Sequence, residues 1–195
     1  MTPEIRAFEY AMGLFSVLIG LAVADVAMSF HRLARSRAPV RWDPLALTAA
    51  LYTLCMAVYM WFDLWGVRHF AATRHFLFYL AVVAQLFVLF LVAAASLPDE
   101  AGPHDLSAYY AGNRRYFWSL MSLFQLGYSL LGLYFAASET AHLARGPGAL
   151  LYGLMWAPAL VSVALLLTRS RVAHYLGLAA LIVLMVVHYG AAQIN

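Results

Sequence analysis

Six stretches of about twenty apolar residues dominate this sequence, and short charged or Pro- and Gly-containing turns separate them. They run from about Tyr10 to Phe30, Pro44 to Val67, His75 to Leu97, Tyr116 to Ser138, Gly148 to Thr168 and Val172 to Ala192. The first is interrupted only by Asp25 and the second only by Asp63; the other four contain no Asp, Glu, Lys or Arg. About twenty residues is the length of helix that crosses a bilayer core, where each backbone polar group must be bonded within its own segment. The whole chain is 65% hydrophobic and 11% charged, against about 25% charged in a soluble domain, so it has too little polar surface for water. These features predict an all-α, polytopic membrane protein with six transmembrane helices in a bundle, forming one domain over residues 1–195. They exclude a disulfide scaffold, a disordered tail and a nucleic-acid module; the single cysteine, Cys55, lies in an apolar run.

The punctuation supports the same division. Pro44 suits a first helical turn, where its missing N–H would have no partner in any case, and Pro158 falls inside the fifth stretch, where it predicts a kink. The segment Leu97–Arg115, with Pro98, Asp99, Glu100, Gly102, Pro103 and Asp105, reads as the longest loop. The first stretch has no basic segment before it and no small-residue cleavage motif after it, so it reads as a retained helix.

All twelve basic residues are arginines. Eight fall in the first, third and fifth connections (Arg32, Arg35, Arg37, Arg41, Arg114, Arg115, Arg169, Arg171) and four on the other side (Arg6, Arg68, Arg74, Arg145). Arginine-rich loops stay cytoplasmic, which predicts a multi-pass protein of the bacterial inner (plasma) membrane with both termini outside.

Polar residues inside the apolar stretches are the candidate functional groups, because a charge at mid-membrane costs roughly 2.5–3.5 kcal/mol on insertion scales. Asp25, Ser29 and Arg32 form a polar stripe toward the arginine-rich side. Asp25 reads either as an inward-facing group bonded to a neighbouring helix or to Arg32, or as a way-station for a proton or cation. On the first helix Gly13, Ser16, Gly20 and Ala24 form a small-residue edge of the kind that lets helix backbones approach. On the fourth, Arg115, Trp118, Ser122, Gln125, Ser129, Gly132, Ala136 and Glu139 recur at steps of three and four and so share one face. That seam reads as packing held by Ser and Gln, or as the wall of a hydrated pathway, with Gln85 of the third helix facing it.

Alternating topology brings Asp63, Glu139, His142 and His188 to one membrane face. Glu139 and His142 have Glu-x-x-His spacing, so a transition-metal or haem site built from these four residues is the alternative reading. Trp61, Trp65, Tyr59 and Tyr189 read as headgroup anchors at that face. The chain carries no phosphate loop, no His-Glu-x-x-His, no Gly-x-Ser-x-Gly and no Thr-Val-Gly-Tyr-Gly filter, which points away from an enzyme and leaves any pore to be lined by helices.

Phe15-Ser16 in the first helix, Tyr59-Met60-Trp61 followed by Arg68-His69-Phe70, and Ser96-Leu97-Pro98 closing the third resemble the small six-helix bacterial channels related to the endolysosomal potassium channel. Val17 stands where that family's Phe-Ser-Asp signature has its Asp, and the family is N-terminus-inside. The resemblance implies a homo-oligomer whose first helices line a pore, with Ile19 and Val23 at its constriction. The general pattern is also similar to six-helix bacterial inner-membrane proteins with Gly-Leu-rich first helices, whose function the resemblance does not supply. The leading expectation is an ion-conducting or small-solute pathway in a homo-oligomer within the lipid bilayer, with no cofactor and no nucleic-acid partner. A structural or sensory subunit that docks a partner membrane subunit through Leu97–Arg115 is the third reading.

Overall fold

The computed structural model describes residues 3–67, 75–99, 104–139 and 148–189, with side chains over 8–67, 75–99, 104–134 and 155–188. Among these residues the chain is all-helical: α1 Pro3–Ala34, α2 Pro44–Gly66, α3 Phe76–Ser96, α4 Leu106–Glu139, α5 Gly148–Leu167 and α6 Arg171–Tyr189. Four of the helices, α1, α2, α3 and α6, are long and apolar enough to cross a membrane. In α4 the buried Ser122, Gln125 and Ser129 dilute the apolar content. The described apolar part of α5 is the shorter piece Met155–Leu167, and α5 continues through Pro158.

The buried side of α1 is a regular stripe. Phe8, Met12, Phe15, Ile19, Ala22, Val26, Ser29 and Leu33 are all buried, at alternating steps of four and three, the repeat that keeps one helix face against a partner. That face packs on α3 and α2, while α4 packs on α5 and α3, and α2 also touches α6. Phe15, Leu45, Leu86, Trp118, Met121 and Phe124 are fully enclosed, so the core sits among the first four helices.

The ends of the helices are tied together at the arginine-rich side. Arg32 at the end of α1 pairs with Asp99, just past α3. A two-residue parallel bridge joins β1 (Val40–Arg41) to β2 (His104–Asp105), and Arg41 holds Asp105 at 2.9 Å across it. Asp43, immediately before α2, takes Arg171 at the start of α6. The opposite ends of α2, α4 and α6 meet around Asp63, Tyr128 and His188, so sequence neighbours run antiparallel.

Two features depart from the sequence reading. The connection expected over Leu97–Arg115 is shorter, because α4 begins at Leu106. Asp105 starts it: its carboxylate accepts from the backbone N–H groups of Ser107 at 2.9 Å and Ala108 at 3.1 Å, donors that a helix start otherwise leaves unpaired. The extra turns carry Tyr109, Asn113 and Arg114, polar residues that read as loop because apolar content was the marker of a helix. Asn113 Nδ2 donates to the Ala95 carbonyl at 2.6 Å, as does the Tyr109 hydroxyl at 3.2 Å, closing the end of α3. The β1–β2 bridge has no signal in the sequence at all.

Candidate functional site

The α4 seam faces protein. Ser122, Gln125 and Ser129 are 5%, 2% and 1% exposed. Gln125 Nε2 donates to the Tyr52 hydroxyl of α2 at 2.8 Å. The Ser129 hydroxyl lies 2.9 Å from both the Gln125 and the Met155 carbonyls, reaching α5. Ser122 Oγ is buried with no hydrogen-bond partner among the described residues. From α3, Gln85 Nε2 donates to the Phe124 carbonyl, and its side chain occupies the space a β-carbon at Gly127 would need. Gly127 is therefore the gap that admits Gln85, which meets α4 beside the seam. The partner that sequence reasoning missed is Tyr52, whose hydroxyl lies on another helix 73 positions away.

Further along, Asp63 is enclosed by two tyrosines. The Tyr59 hydroxyl donates to Asp63 Oδ1 at 2.8 Å and the Tyr128 hydroxyl to Oδ2 at 3.0 Å. A carboxylate held by two O–H donors needs no cation in contact, which removes much of the cost of placing it in an apolar helix. Tyr59 therefore serves Asp63, whereas Trp61 and Trp65 are exposed; the Tyr189 side chain lies outside the described residues. Asp63, Tyr128, Gly132, Met155 and His188 line one cavity of about 170 Å³, and Asp63 lies within electrostatic reach of His188. Of the four candidate metal ligands, these two are brought together; the Glu139 side chain and His142 lie outside the described residues. Among the described residues no group of three or more His, Cys, Asp or Glu side chains is placed to hold a metal.

At the arginine-rich end, Asp25 and Ser29 come together with Asp99. The Ser29 hydroxyl and the Arg32 guanidinium both donate to Asp99 Oδ1, and Arg32 also donates to Ser29 Oγ at 3.2 Å. Arg32 thus binds the loop carboxylate, not Asp25. Asp25 Oδ2 is buried with no hydrogen-bond partner among the described residues. Tyr109 stands beside this pair of carboxylates; burial first, then the Asp99 charge, pushes its hydroxyl up to about 12, so it stays a neutral donor.

The small-residue edge of α1 looks outward. Gly13, Ser16, Gly20 and Ala24 are exposed, and among the described residues nothing lies within 4 Å of a β-carbon built on Gly13 or Gly20. Trp61 Nε1 donates to Ser16 Oγ at 3.2 Å. Gly132 of α4 faces the other way, against the flexible end of Met155. Ile19 and Val23, the constriction implied by the channel resemblance, face the core: Ile19 is 5% exposed and Val23 packs, partly buried, against it.

No protein-family model matches the chain, and no curated protein and no solved structure matches it.

Proposed function

We propose that the chain is a six-span protein of the bacterial inner membrane that assembles with copies of itself and provides a passive ion-conducting or small-solute pathway. The observation that carries this reading is the outward face of α1. Its Gly13, Ser16, Gly20 and Ala24 are exposed, and among the described residues nothing lies within 4 Å of a β-carbon built on Gly13 or Gly20; small residues at this spacing allow close helix contact in lipid, where hydrophobicity gives helices no reason to associate. Asp25 supports the reading from the flank of the same helix: Arg32 is committed to Asp99, and Asp25 Oδ2 has no hydrogen-bond partner among the described residues, so it is the carboxylate there that can attract a cation.

The α4 seam serves this pathway as scaffold. The Gln125 amide bonds to α2 and the Ser129 hydroxyl to α5, so they fix the helices that support α1. The bias of arginines supports an orientation with the helix ends around Arg32, Arg41, Arg114 and Arg171 in the cytoplasm and both termini outside.

The experiment is tracer flux into liposomes containing the purified chain. The pathway reading expects cation flux that falls severalfold in Asp25→Asn, while Gln125→Leu lowers the yield of folded protein more than the flux per molecule. Absence of flux in the unaltered protein contradicts it. A second reading, a metal or haem site, is supported by Asp63 and His188 sharing a cavity. Elemental analysis and a visible spectrum of the purified protein separate it from the first.

A further inference from the structure

At the arginine-rich end a second cavity, of about 380 Å³, opens between the first turns of α4 and the α5–α6 turn, lined by Tyr110, Arg114, Arg115, Arg169, Arg171 and His174. Among the described residues no carboxylate lines it. Three arginines at this end are matched one to one: Arg32 with Asp99, Arg41 with Asp105, and Arg171 with Asp43. Arg114, Arg115 and Arg169 have no acidic partner among the described residues. Arg114 Nη1 is buried without a hydrogen-bond acceptor, and a charged donor in that state calls for an anion.

The floor beneath these arginines is fixed. Trp118 Nε1 can only donate, and it does so to the Tyr110 oxygen at 3.0 Å. The Tyr110 hydrogen then goes to His174 Nδ1 at 2.8 Å, which leaves His174 Nε2–H to donate to the Thr168 carbonyl at 3.2 Å. Every polar atom of this relay is used, so neither Tyr110 nor His174 competes for an anion, and neither is free to bind a metal. Burial pushes the Tyr110 hydroxyl up to about 12, which keeps it neutral and the relay intact.

We propose that this cavity binds a phosphate group. Three unmatched guanidinium groups over an uncharged floor suit a tetrahedral, multiply charged oxyanion, because each guanidinium offers paired N–H donors to two oxygens. Two sources share that chemistry, the headgroup of an anionic phospholipid and a free phosphate; basic pockets between membrane helices bind such headgroups. The site stands apart from the flux reading, since binding is measured in detergent whether or not the protein conducts.

The test compares the full chain, Arg114→Gln/Arg169→Gln and the control Arg35→Gln/Arg37→Gln in detergent. Inorganic phosphate is titrated at constant ionic strength, and phosphatidylglycerol is titrated against phosphatidylcholine, with thermal midpoint and native mass spectrometry as readouts. The expected result is saturable binding that weakens about tenfold or more in R114Q/R169Q and is unchanged in R35Q/R37Q. Saturation by inorganic phosphate assigns the site to a free phosphate; saturation by phosphatidylglycerol alone assigns it to a headgroup. If R114Q/R169Q does not fold, Arg115→Gln/Arg169→Gln, two exposed side chains, must show the same loss. No saturable effect of either ligand, or equal weakening in the control, overturns the proposal.

Discussion

Asp43 and Arg171, 128 positions apart, are joined by an ion pair of 2.7 Å that ties the residue before α2 to the first turn of α6. Arg171 also donates to Ser107 Oγ at the start of α4, so one guanidinium gathers three helix ends. Asp43 is the residue before the Pro44 that opens α2, yet its carboxylate makes no cap bond to that helix; its side chain is committed to the distant arginine instead. Because Arg171 is half exposed, the pair contributes modestly, and Asp43→Ala should cost about 1–2 kcal/mol. Combined with Arg171→Gln, the loss should be less than the sum of the two single losses. Thermal melting of the four proteins in detergent measures that coupling, and strict additivity would show that the pair is not formed.

The fit of Gln85 into the gap at Gly127 is equally specific. Gly127→Ala places a β-carbon where the Gln85 oxygen lies, so the amide must leave its bond to the Phe124 carbonyl. The expected loss is about 1–3 kcal/mol, most of it recovered in Gln85→Ala/Gly127→Ala. A Gly127→Ala protein as stable as the unaltered chain would place Gln85 elsewhere.

Gln125 and Tyr52 form a side-chain hydrogen bond between α4 and α2 that lies wholly within the core. Interhelical bonds of this kind average about 0.6 kcal/mol and reach about 1.7. Gln125→Leu should therefore lower stability within that range, and Tyr52→Phe should add little once Gln125 is gone. The double-mutant cycle is the check.

How much of this was written in the sequence differs from element to element. The apolar runs gave α2, α3, α5 and α6 to within a few residues, since Pro44, His75, Gly148 and Arg171 mark real changes in solvent preference. The first ten residues of α4 were missed for the same reason: Tyr109, Asn113 and Arg114 lie beyond the apolar run, and it is the Asp105 cap, not hydrophobicity, that makes them helical. The polar seam was legible as a face of α4, but Tyr52, Tyr59 and Tyr128 were not legible as its partners and neighbours, because a tyrosine in an apolar run looks the same whether it anchors to headgroups or closes on a buried carboxylate. The phosphate cavity was hidden too. Arg114, Arg115, Arg169 and Arg171 count as loop charges until the longer α4 carries two of them alongside the α5–α6 turn.

The Asp105 cap also sets a pH dependence. The Ala108 N–H, more than the Arg41 charge, holds the Asp105 carboxyl below the usual carboxylate range, with the Ser107 N–H and Arg171 acting in the same direction. A group whose folded value is lower than its unfolded one, near 3.9, stabilises the fold above that unfolded value and loses the contribution as pH falls through the folded one. The difference in melting temperature between the unaltered chain and Asp105→Asn should thus be largest at neutral pH and shrink below about pH 4. A difference that is constant from pH 7 to pH 3 would contradict the cap.

The measurement that bears most directly on the whole account is the sidedness of the five connections. In a Cys55→Ser background, single substitutions Ala38→Cys, Ala71→Cys, Gly102→Cys, Gly146→Cys and Ser170→Cys are labelled in sealed vesicles with a membrane-impermeant maleimide. Six spans predict strict alternation, with residues 38, 102 and 170 on one side and 71 and 146 on the other. If only α1, α2, α3 and α6 cross, residues 102, 146 and 170 label from the same side, and the account of α4 as a membrane-spanning scaffold for a pathway is wrong.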